Sequence, residues 1–544
     1  MLRGSGPLTE SPTVGQRTVA IAGLRAILLP FPVTDSPDYA YKWLPGSLVD
    51  EPLIEELAEL YSSHYGVWGL NGRHPFRPIK LSARNIARWL LPNESRLAYA
   101  ELDGRVVGYA IAVQPRVGRL GVVSWVSQLV VHADHRRRDV GKRLLFSIWD
   151  FSDHYAWGLV TANPYAVRAL EKATRRRCDP KRIAQDCKPL VAMASTQVPY
   201  VSESTERVVD STSSRVNTQF FVDHTELPYM LEDVTKIETP WTLSNIPEGW
   251  EWLAFTFKDQ PEIELTEAEI ETMVRTSDVV AKQAYSRMRL NASHAWAQHT
   301  PAEVELIIRE CELAPGSSVL DVGCGTGRHI KALAKHDILG TGVDYLPEAI
   351  ETRNAEVRDD SRAQFVLGDA RDLHLEMKFD AVLCLYDVIG SYVDSEDNIR
   401  IIRSIRRHLR PGGKALISVM NFDLTYRKAR HFFNLKKEPN RLLQLPPSTI
   451  MEKTGNVFNP DYYMIDEATE IVYRKEQFAE GSDLPAQLLV RDRRYRRSDI
   501  AAQCMLNGLR VLWARYVRAG QWEVVLEPED DNAKEILLLC EAFD

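Results

Sequence analysis

A run of glycines behind an apolar segment is the feature of this sequence best suited to chemistry. Residues 319–322 read Val-Leu-Asp-Val, and Gly323, Gly325 and Gly327 follow at alternate positions. Glycine lets the backbone turn tightly and approach a ligand, and the helix expected next offers N–H groups that no helical carbonyl accepts. The run therefore predicts a cradle for a nucleotide-like cofactor at the C-terminal edge of a parallel sheet.

Acidic residues end the two strands expected next. Asp344 follows a strand about twenty residues after the glycines, where a carboxylate can accept ribose hydroxyls. Asp369 and Ala370 end a third strand, at a position suited to an adenine amino group. A buried fourth strand is expected over residues 379–386, and the turn 409–413 (LRPGG) is expected to close a helix before a strand over 414–420.

Residues from about 285 to 420 resemble a class I S-adenosylmethionine-dependent methyltransferase, because these motifs match that family in order and spacing. The resemblance implies a Rossmann-like fold and S-adenosylmethionine as cofactor. It also implies which residues contact the methionine part, the ribose, the adenine and the sulfonium group. The methionine part would contact Asp321, Gly323, Cys324, Gly325 and Gly327, and the ribose would contact Asp344 and Tyr345. The adenine would contact Asp369 and Ala370, and the sulfonium group would contact Leu385 and Tyr386.

The exit of the fourth strand suggests which acceptors are methylated. Methyltransferases that act on the amines of nucleic-acid bases have an Asn/Asp-Pro-Pro-aromatic element there, whereas this chain has Leu385-Tyr386-Asp387. The pattern is more similar to enzymes that act on small molecules. Tyr386 and Asp387 are the candidate catalytic residues, and Asp387 could equally cap the following turn. Tyr285, Arg287 and Met288 are candidates for covering the cofactor.

A second cradle is predicted in the N-terminal half. An apolar strand ends at Val130 and Val131, and a basic stretch over 136–143 leads through Gly141 into a helix. Backbone N–H groups at a helix start suit a pyrophosphate, and arginine and lysine add positive charge. Such a charge run can also be an ordinary solvated helix face.

Residues 20–258 resemble GNAT-type N-acetyltransferases, on this stretch and on the segment 163–172 (NPYAVRALEK). The resemblance implies acetyl-CoA binding, with Asn163 as a catalytic candidate. Asp139 replaces the first glycine of the family motif, and Leu170 replaces the usual tyrosine acid. An active acyltransferase and a degenerate binding domain therefore both remain open. The residues implied in binding the coenzyme are Val130, Val131, Arg136, Arg138, Val140, Gly141 and Lys142.

Composition limits the class of protein. The 544 residues are too many for one core, and 44% hydrophobic with 26% charged residues is typical of a soluble protein. A net charge of −8 does not favour general nucleic-acid binding. Seven scattered cysteines favour a reducing compartment and no structural zinc or other metal. With no secretion signal and no membrane-spanning run, a cytoplasmic location is expected.

These observations predict an α/β protein of two domains. The expected map is a disordered start over 1–18, a GNAT-like domain over 19–258, a linker over 259–284, and a methyltransferase domain over 285–544 with a substrate insertion at about 421–492. The first hypothesis is a bifunctional enzyme that methylates an N or O atom of a small molecule and transfers an acetyl group. The alternatives are a methyltransferase with a degenerate GNAT domain, or an enzyme that modifies RNA or protein. The sequence leaves the oligomeric state open.

Local patterns add four predictions. Residues 49–92 are expected to be helical, and the Asp103-Gly104 pair predicts a hairpin. The Ser/Thr-rich segment 202–216 is interpreted as a loop. The arginine-rich segment 491–497 is interpreted as a solvated loop before a helix capped by Ser498, with phosphate or base binding as the alternative.

Overall fold

The computed structural model describes residues 39–90, 95–118, 120–149, 152–198, 200–237, 240–275, 295–358, 360–448, 456–478 and 486–543. The predicted disordered start, most of the linker beyond residue 275, and Tyr285, Arg287 and Met288 lie outside these residues. The described chain divides into two compact units, with the division between Leu265 and Thr266. Within the described residues, no helix combines the length and apolar composition that crossing a lipid bilayer requires.

The first unit is built on one mixed sheet, in the order β1-β2-β3-β5-β6-β9-β8-β7 with β4 paired to β5. Its strands are β1 (Ala40–Pro45), β2 (Ser95–Leu102), β3 (Arg105–Val113), β4 (Arg116–Val117), β5 (Gly121–Val131), β6 (Ala156–Thr161), β7 (Arg207–Val209), β8 (Ser214–Phe220) and β9 (Gly249–Phe257). Its helices are α1 (Glu51–His64), α2 (Ala83–Leu90), α3 (Val140–Trp149), α4 (Pro164–Thr174), α5 (Pro180–Gln197) and α6 (Leu227–Ile237).

The predicted hairpin is confirmed. β2 and β3 pair antiparallel, and Asp103 and Gly104 have φ values of 51° and 76°, as a type I′ turn requires. The helices expected over 49–92 are α1 and α2. The loop expected over 202–216 is wrong in part, because β7 pairs with β8 there.

The second unit contains a larger sheet in the order β12-β11-β10-β13-β14-β21-β19-β20. Its strands are β10 (Ser318–Val322), β11 (Leu339–Asp344), β12 (Ala363–Leu367), β13 (Phe379–Cys384), β14 (Leu409–Met420), β19 (Leu509–Arg518), β20 (Gln521–Leu526) and β21 (Glu535–Ala542). The helices are α7 (Thr300–Glu310), α8 (Arg328–Ala334), α9 (Pro347–Glu356), α10 (Ser395–His408), α11 (Phe422–Lys428) and α12 (Arg497–Leu506).

The five strands β10 to β14 run parallel, and β21 enters antiparallel between β14 and β19. The C-terminal ends of β10, β11, β12 and β13 therefore meet at one edge of the sheet, and the first residue of β21 reaches the same edge beside Met420. The sequence predicted a turn over residues 409–413. In the structure β14 begins at Leu409, with an irregularity in its pairing to β13 over this stretch.

The insertion has its own sheet, in the order β15-β16-β17-β18. The strands are β15 (Phe432–Phe433), β16 (Tyr463–Asp466), β17 (Val472–Phe478) and β18 (Ala486–Asp492). A small core of Phe422, Tyr463, Ile465 and Val472 holds it to the start of α11. Helix α12 is capped at Arg496, not at Ser498 as predicted.

Candidate functional sites

The glycine loop after β10 leaves space at one of its three glycines. Gly323, Gly325 and Gly327 all have positive φ, between 52° and 76°. A Cβ atom at Gly323 would lie 2.5 Å from Val388, and one at Gly327 would lie 2.5 Å from the ring of Phe365. At Gly325 a Cβ would meet no atom within 4 Å. Gly325 is therefore the point at which a ligand can reach the backbone of the loop.

Asp344 joins this loop to the end of β11. The carboxylate is buried; it accepts a hydrogen bond of 3.0 Å from the Gly325 N–H and one of 3.3 Å from the Leu346 N–H. Tyr345, the next residue, is 43% exposed. Asp344 thus fixes the loop, and its position beside Gly325 suits the acceptance of hydroxyl groups from a ligand.

Asp321 in β10 is a buried carboxylate, and one of its oxygens accepts no hydrogen bond from the described residues. The residue is 2% exposed, and its Oδ2 has no hydrogen-bond partner among the described residues. The nearest cationic candidate is Nδ1 of His329, at 3.7 Å. Leaving a buried acceptor unpaired is unfavourable, so a donor or cation from a ligand fits this position.

Asp369 begins a single turn of 3₁₀ helix, Ala370–Asp372, at the end of β12. Its Oδ1 accepts from the Arg371 N–H at 2.9 Å, and its Oδ2 lies 2.6 Å from the Arg371 guanidinium. Arg371 also pairs with Asp397 at 3.1 Å. The carboxylate is therefore held in one orientation and remains partly exposed at the edge of the sheet.

A buried polar network lies on the α7 side of the same edge. Glu303 of α7 is 1% exposed; it accepts from the Tyr386 hydroxyl and pairs with the Arg328 guanidinium. Nε2 of His329 lies 2.9 Å from Glu303 Oε2, and Arg328 donates to the Tyr386 hydroxyl at 2.6 Å. Tyr386 has a φ of 67°, a left-handed conformation that orients its ring toward these partners.

The network shifts the pKa values of its members. Burial raises the pKa of the Tyr386 phenol far above its ordinary value. Burial would raise the pKa of Glu303 too, but hydrogen bonds from His329 and Arg328 hold it below its usual range. The carboxylates of Asp321 and Glu303 raise the pKa of His329 against the effect of burial.

Glu535, the first residue of β21, adds a second buried carboxyl group. It is 6% exposed and accepts from the Trp522 indole N–H at 3.3 Å. Burial, with Glu303 and Asp387 nearby, raises its pKa to about 8. The Trp522 ring lies 5.9 Å from that of Tyr386 and 6.4 Å from that of His329. Aromatic rings beside carboxyl groups form a surface that favours a cationic ligand.

In the first unit, the basic cradle lies between β5 and α3. Arg137 and Asp139 have φ values of 58° and 61°, and the helix begins at Val140. The Asp139 carboxylate pairs with the buried Lys142 ammonium at 2.9 Å. Gly141 has room beside it, since a Cβ there would lie 3.8 Å from Val131.

The arginines of the cradle have different surroundings. Arg136 donates to the Val131 carbonyl at 3.1 Å and to the His64 carbonyl, so it fastens β5 to the end of α1. Arg138 is exposed, whereas Val130 and Val140 are buried. The exposed face of the cradle therefore carries Arg137 and Arg138.

Asn163 is the N-cap of α4, and its Oδ1 accepts from the Tyr165 N–H at 2.9 Å. The Tyr165 hydroxyl donates to Asp233 at 2.5 Å and accepts from Arg137 at 2.6 Å. Leu170 is fully buried in the core. Tyr165, rather than Leu170, therefore places a hydroxyl group beside the cradle.

Two family models match the chain, one in each unit. The Acetyltransferase (GNAT) family matches residues 54–173, and the Methyltransferase domain matches residues 319–413. The strand order of the second unit's sheet agrees with the latter. The first unit thus carries a GNAT-type domain and the second a methyltransferase domain.

Curated relatives match the methyltransferase domain. A dTDP-4-amino-2,3,4,6-tetradeoxy-D-glucose N,N-dimethyltransferase of Saccharopolyspora spinosa is 30% identical over 27% of this chain and 58% of its own length. A cypemycin N-terminal methyltransferase of a Streptomyces species is 35% identical over 19% of this chain and 41% of its own. The chain thus spans about half the length of these relatives.

Among solved structures, a methyltransferase from Streptomyces caelestis aligns with 44% of this chain and 89% of its own, at 16% identity and a TM-score of 0.34.

The methyltransferase domain brings most of the predicted cofactor residues to one sheet edge. Asp321, the glycine loop with the buried Cys324, Asp344, Asp369 and the buried Leu385 all lie at or next to the ends of β10 to β13. Sequence reasoning missed Glu303, His329, Trp522 and Glu535. Only His329 lies next to a motif; the other three come from distant segments that have no motif of their own.

The arginine-rich segments of both domains contact the protein itself. Arg494 is completely buried and pairs with Asp492 at 2.8 Å, and Arg496 pairs with Glu470 at 2.8 Å. In the GNAT domain, Arg175 and Arg176 both pair with Glu262. The interpretation of 491–497 as a solvated loop is therefore wrong, because much of its charge is used to hold the insertion in place.

Proposed function

We propose that the methyltransferase domain transfers a methyl group from S-adenosylmethionine to a small molecule. The observation that carries this proposal is the buried Asp321, whose Oδ2 has no hydrogen-bond partner among the described residues, at the strand end that leads into the open Gly325 loop. A ligand with an ammonium group and a nucleoside would satisfy both features. The methionine portion of S-adenosylmethionine supplies the ammonium group.

Each part of the cofactor has candidate contacts. Asp321 with Gly323 to Gly327 would hold the methionine portion, and Asp344 with Tyr345 would accept the ribose hydroxyls. Asp369 and Ala370 would contact the adenine, and Leu385 would lie near the sulfur. When bound, the cofactor supplies a methyl group on a positively charged sulfur, which needs no acid to leave.

The residues on the acceptor side favour an amine. A protonated amine must lose a proton before its nitrogen can form the new N–C bond, and a carboxylate can take that proton. Asp387 follows Tyr386 directly, and Glu535 lies beside Trp522 with a pKa of about 8, close to the working range of a base. We propose that Tyr386, held between Glu303 and Arg328, orients the acceptor. The two relatives described above are named as methyltransferases of amino groups, whereas other relatives of similar identity are named ubiquinone biosynthesis O-methyltransferases.

The test is transfer of an isotopically labelled methyl group by the full chain. Three acceptor classes should be compared: nucleotide-linked amino sugars, peptides with a free N-terminus, and phenols. We expect labelled product with an amine class and loss of cofactor binding in Asp321→Asn. If the wild type does not bind S-adenosylhomocysteine in calorimetry, the proposal is wrong.

We propose acetyl transfer from acetyl-CoA as the activity of the GNAT domain. The exposed Arg138 and the N-terminus of α3 support it, because together they offer positive charge and N–H groups to a pyrophosphate. The alternative is a domain that only binds a substrate or partner, supported by Asp139 and Leu170. Acetyl-CoA binding with turnover of an amine favours the first, and binding without turnover favours the second.

A further inference from the structure

The sheet of the GNAT domain opens where β5 and β6 separate. These two strands pair in parallel from Val123–Ala156 to Val126–Leu159. Beyond that point β5 continues to Val131 while pairing with β3, and β6 continues to Thr161 while pairing with β9. The two halves of the sheet thus diverge at the end that leads to the cradle.

A buried carboxyl group lies in the half formed by β6, β8 and β9. Glu251 of β9 is one residue beyond the Thr161–Trp252 pair that ends the β6–β9 ladder, and it is 6% exposed. The Thr218 hydroxyl of β8 donates to its Oε2 at 2.7 Å, and the Ala162 N–H also donates to it. These two donors fix the carboxyl group at the place where β6 turns toward Asn163 and α4.

Three tyrosines lie near the same carboxyl group. Glu251 is close enough to Tyr61, Tyr65 and Tyr200 to raise the pKa of each electrostatically, although burial is the main cause in all three. The rings of Tyr61 and Tyr65 stack at 4.3 Å, and the Tyr200 hydroxyl accepts from the Trp125 indole N–H at 3.2 Å. Burial also raises the pKa of Glu251 to about 7.

The burial of Glu251 lowers the stability of the fold unless a ligand compensates for it. A buried carboxylate without a cationic partner destabilises a fold, and a glutamine could accept the same two hydrogen bonds without a charge. The described hydrogen-bond partners of Glu251 are a hydroxyl group and a backbone N–H, neither of which is cationic. The position beside Glu251 therefore suits a positively charged group from a ligand.

We infer that Glu251 binds the ammonium group of the acceptor and acts as its catalytic base in the GNAT domain. The acceptor class is a primary amine on an aromatic or apolar body, because Tyr61, Tyr65 and Tyr200 lie near the carboxyl group. This inference rests on the proposed acetyl transfer and names the acceptor side of that same site.

The reaction balances with acetyl-CoA as the second substrate. The amine nitrogen forms a bond to the thioester carbonyl carbon, and the C–S bond breaks. An ammonium group loses two protons on becoming an amide. Glu251 takes the first, which frees the nitrogen lone pair, and the second goes to the departing thiolate.

The test uses the full chain, acetyl-CoA and three amines: tyramine, spermidine and glucosamine. Release of coenzyme A is followed against pH, and amine binding is measured by calorimetry without acetyl-CoA. We expect the fastest turnover with tyramine, and we expect the rate to rise with pH through a pKa near 7. Glu251→Gln should lower kcat at least about 100-fold, the contribution typical of a positioned base. It should also weaken amine binding, while acetyl-CoA affinity stays unchanged.

Two further variants make the result specific. Glu206→Gln changes an exposed carboxylate of the same domain that bonds only Asn217 in the described residues, and it should behave as wild type. Thr218→Val removes a donor to the carboxylate, so the rising limb of the pH profile should move to higher pH. This variant keeps the inference testable if Glu251→Gln does not fold.

The possible results distinguish the role of Glu251 from the proposed acetyl transfer on which it rests. No binding of acetyl-CoA by the wild type overturns acetyl transfer itself. Turnover that is equal in wild type and Glu251→Gln, or a pH profile unmoved by Thr218→Val, overturns the role of Glu251 alone. Faster turnover of spermidine or glucosamine than of tyramine overturns the acceptor class, and binding of acetyl-CoA with no turnover of any of the three amines overturns acetyl transfer.

Discussion

Replacing Asp344 by alanine tests the cofactor site most directly. The carboxylate accepts from the Gly325 N–H at 3.0 Å and from the Leu346 N–H at 3.3 Å, so it shapes the loop as well as offering oxygens to the ribose. A hydrogen bond to a charged group contributes about 1.5–3 kcal/mol. We therefore expect S-adenosylhomocysteine to bind about 2 kcal/mol more weakly, which is roughly a 30-fold higher Kd.

The assay is calorimetric titration of wild type and variants with S-adenosylhomocysteine. Asp344→Asn keeps an oxygen that can accept from Gly325 and should lose less affinity than Asp344→Ala. Asp360→Ala is the matched control, because this partly exposed carboxylate pairs with Arg362 just before β12, at the other end of the strands. Equal affinity in wild type and Asp344→Ala would refute the assignment of this sheet edge to the cofactor.

Three other substitutions have expected outcomes. Burial raises the pKa of Glu535 from 4.5 to about 8, so the folded state loses stability as pH rises through that range, by at most about 5 kcal/mol. Melting temperatures should therefore fall between pH 6 and pH 8.5 in the wild type but less in Glu535→Gln, and equal falls would contradict this. Glu303→Gln should lower the free energy of unfolding by about 3–5 kcal/mol, since it leaves Arg328 buried beside a neutral group; chemical denaturation checks this against Glu305→Gln, an exposed position on the same helix. Asp139→Gly should tighten coenzyme A binding about fivefold, or about 1 kcal/mol, by removing a negative charge and a strained φ of 61°; calorimetry that gives the same Kd for wild type, Asp139→Gly and Asp139→Asn would disprove it.

Local patterns predicted the parts of the fold that depend on neighbouring residues. The Asp103-Gly104 turn and the glycine loop are specified by conformations that few residues adopt, so a short stretch of sequence is enough to predict them. The Ser/Thr-rich segment around β7 was different. There the strand forms because β8, β9 and β6 extend the sheet beneath it, a tertiary effect that propensity does not contain.

The candidate sites were predictable only where motifs form them. Asp321 and Asp344 lie in strands whose order follows from the family resemblance. Glu303 and Glu535 are separated by more than 200 residues and meet only because α7 and β21 reach the same sheet edge. The burial of Arg494 also depends on distant partners, since Asp492 and Thr425 surround it in the insertion. A charge run seen alone gives no sign of such partners.

The position of β21 has a consequence for how this domain folds. β21 comes after all the other described strands in the chain, yet it lies between β14 and β19 and pairs with both. Until residues 535–542 have been synthesised, the backbone N–H and C=O groups along one side of β14 lack the neighbour they have in the finished sheet. Unpaired strand edges attract other chains, and contacts between distant segments form slowly. The domain therefore has a long interval during synthesis in which it is vulnerable to aggregation, and a chaperone that shields β14 should raise the yield of soluble protein.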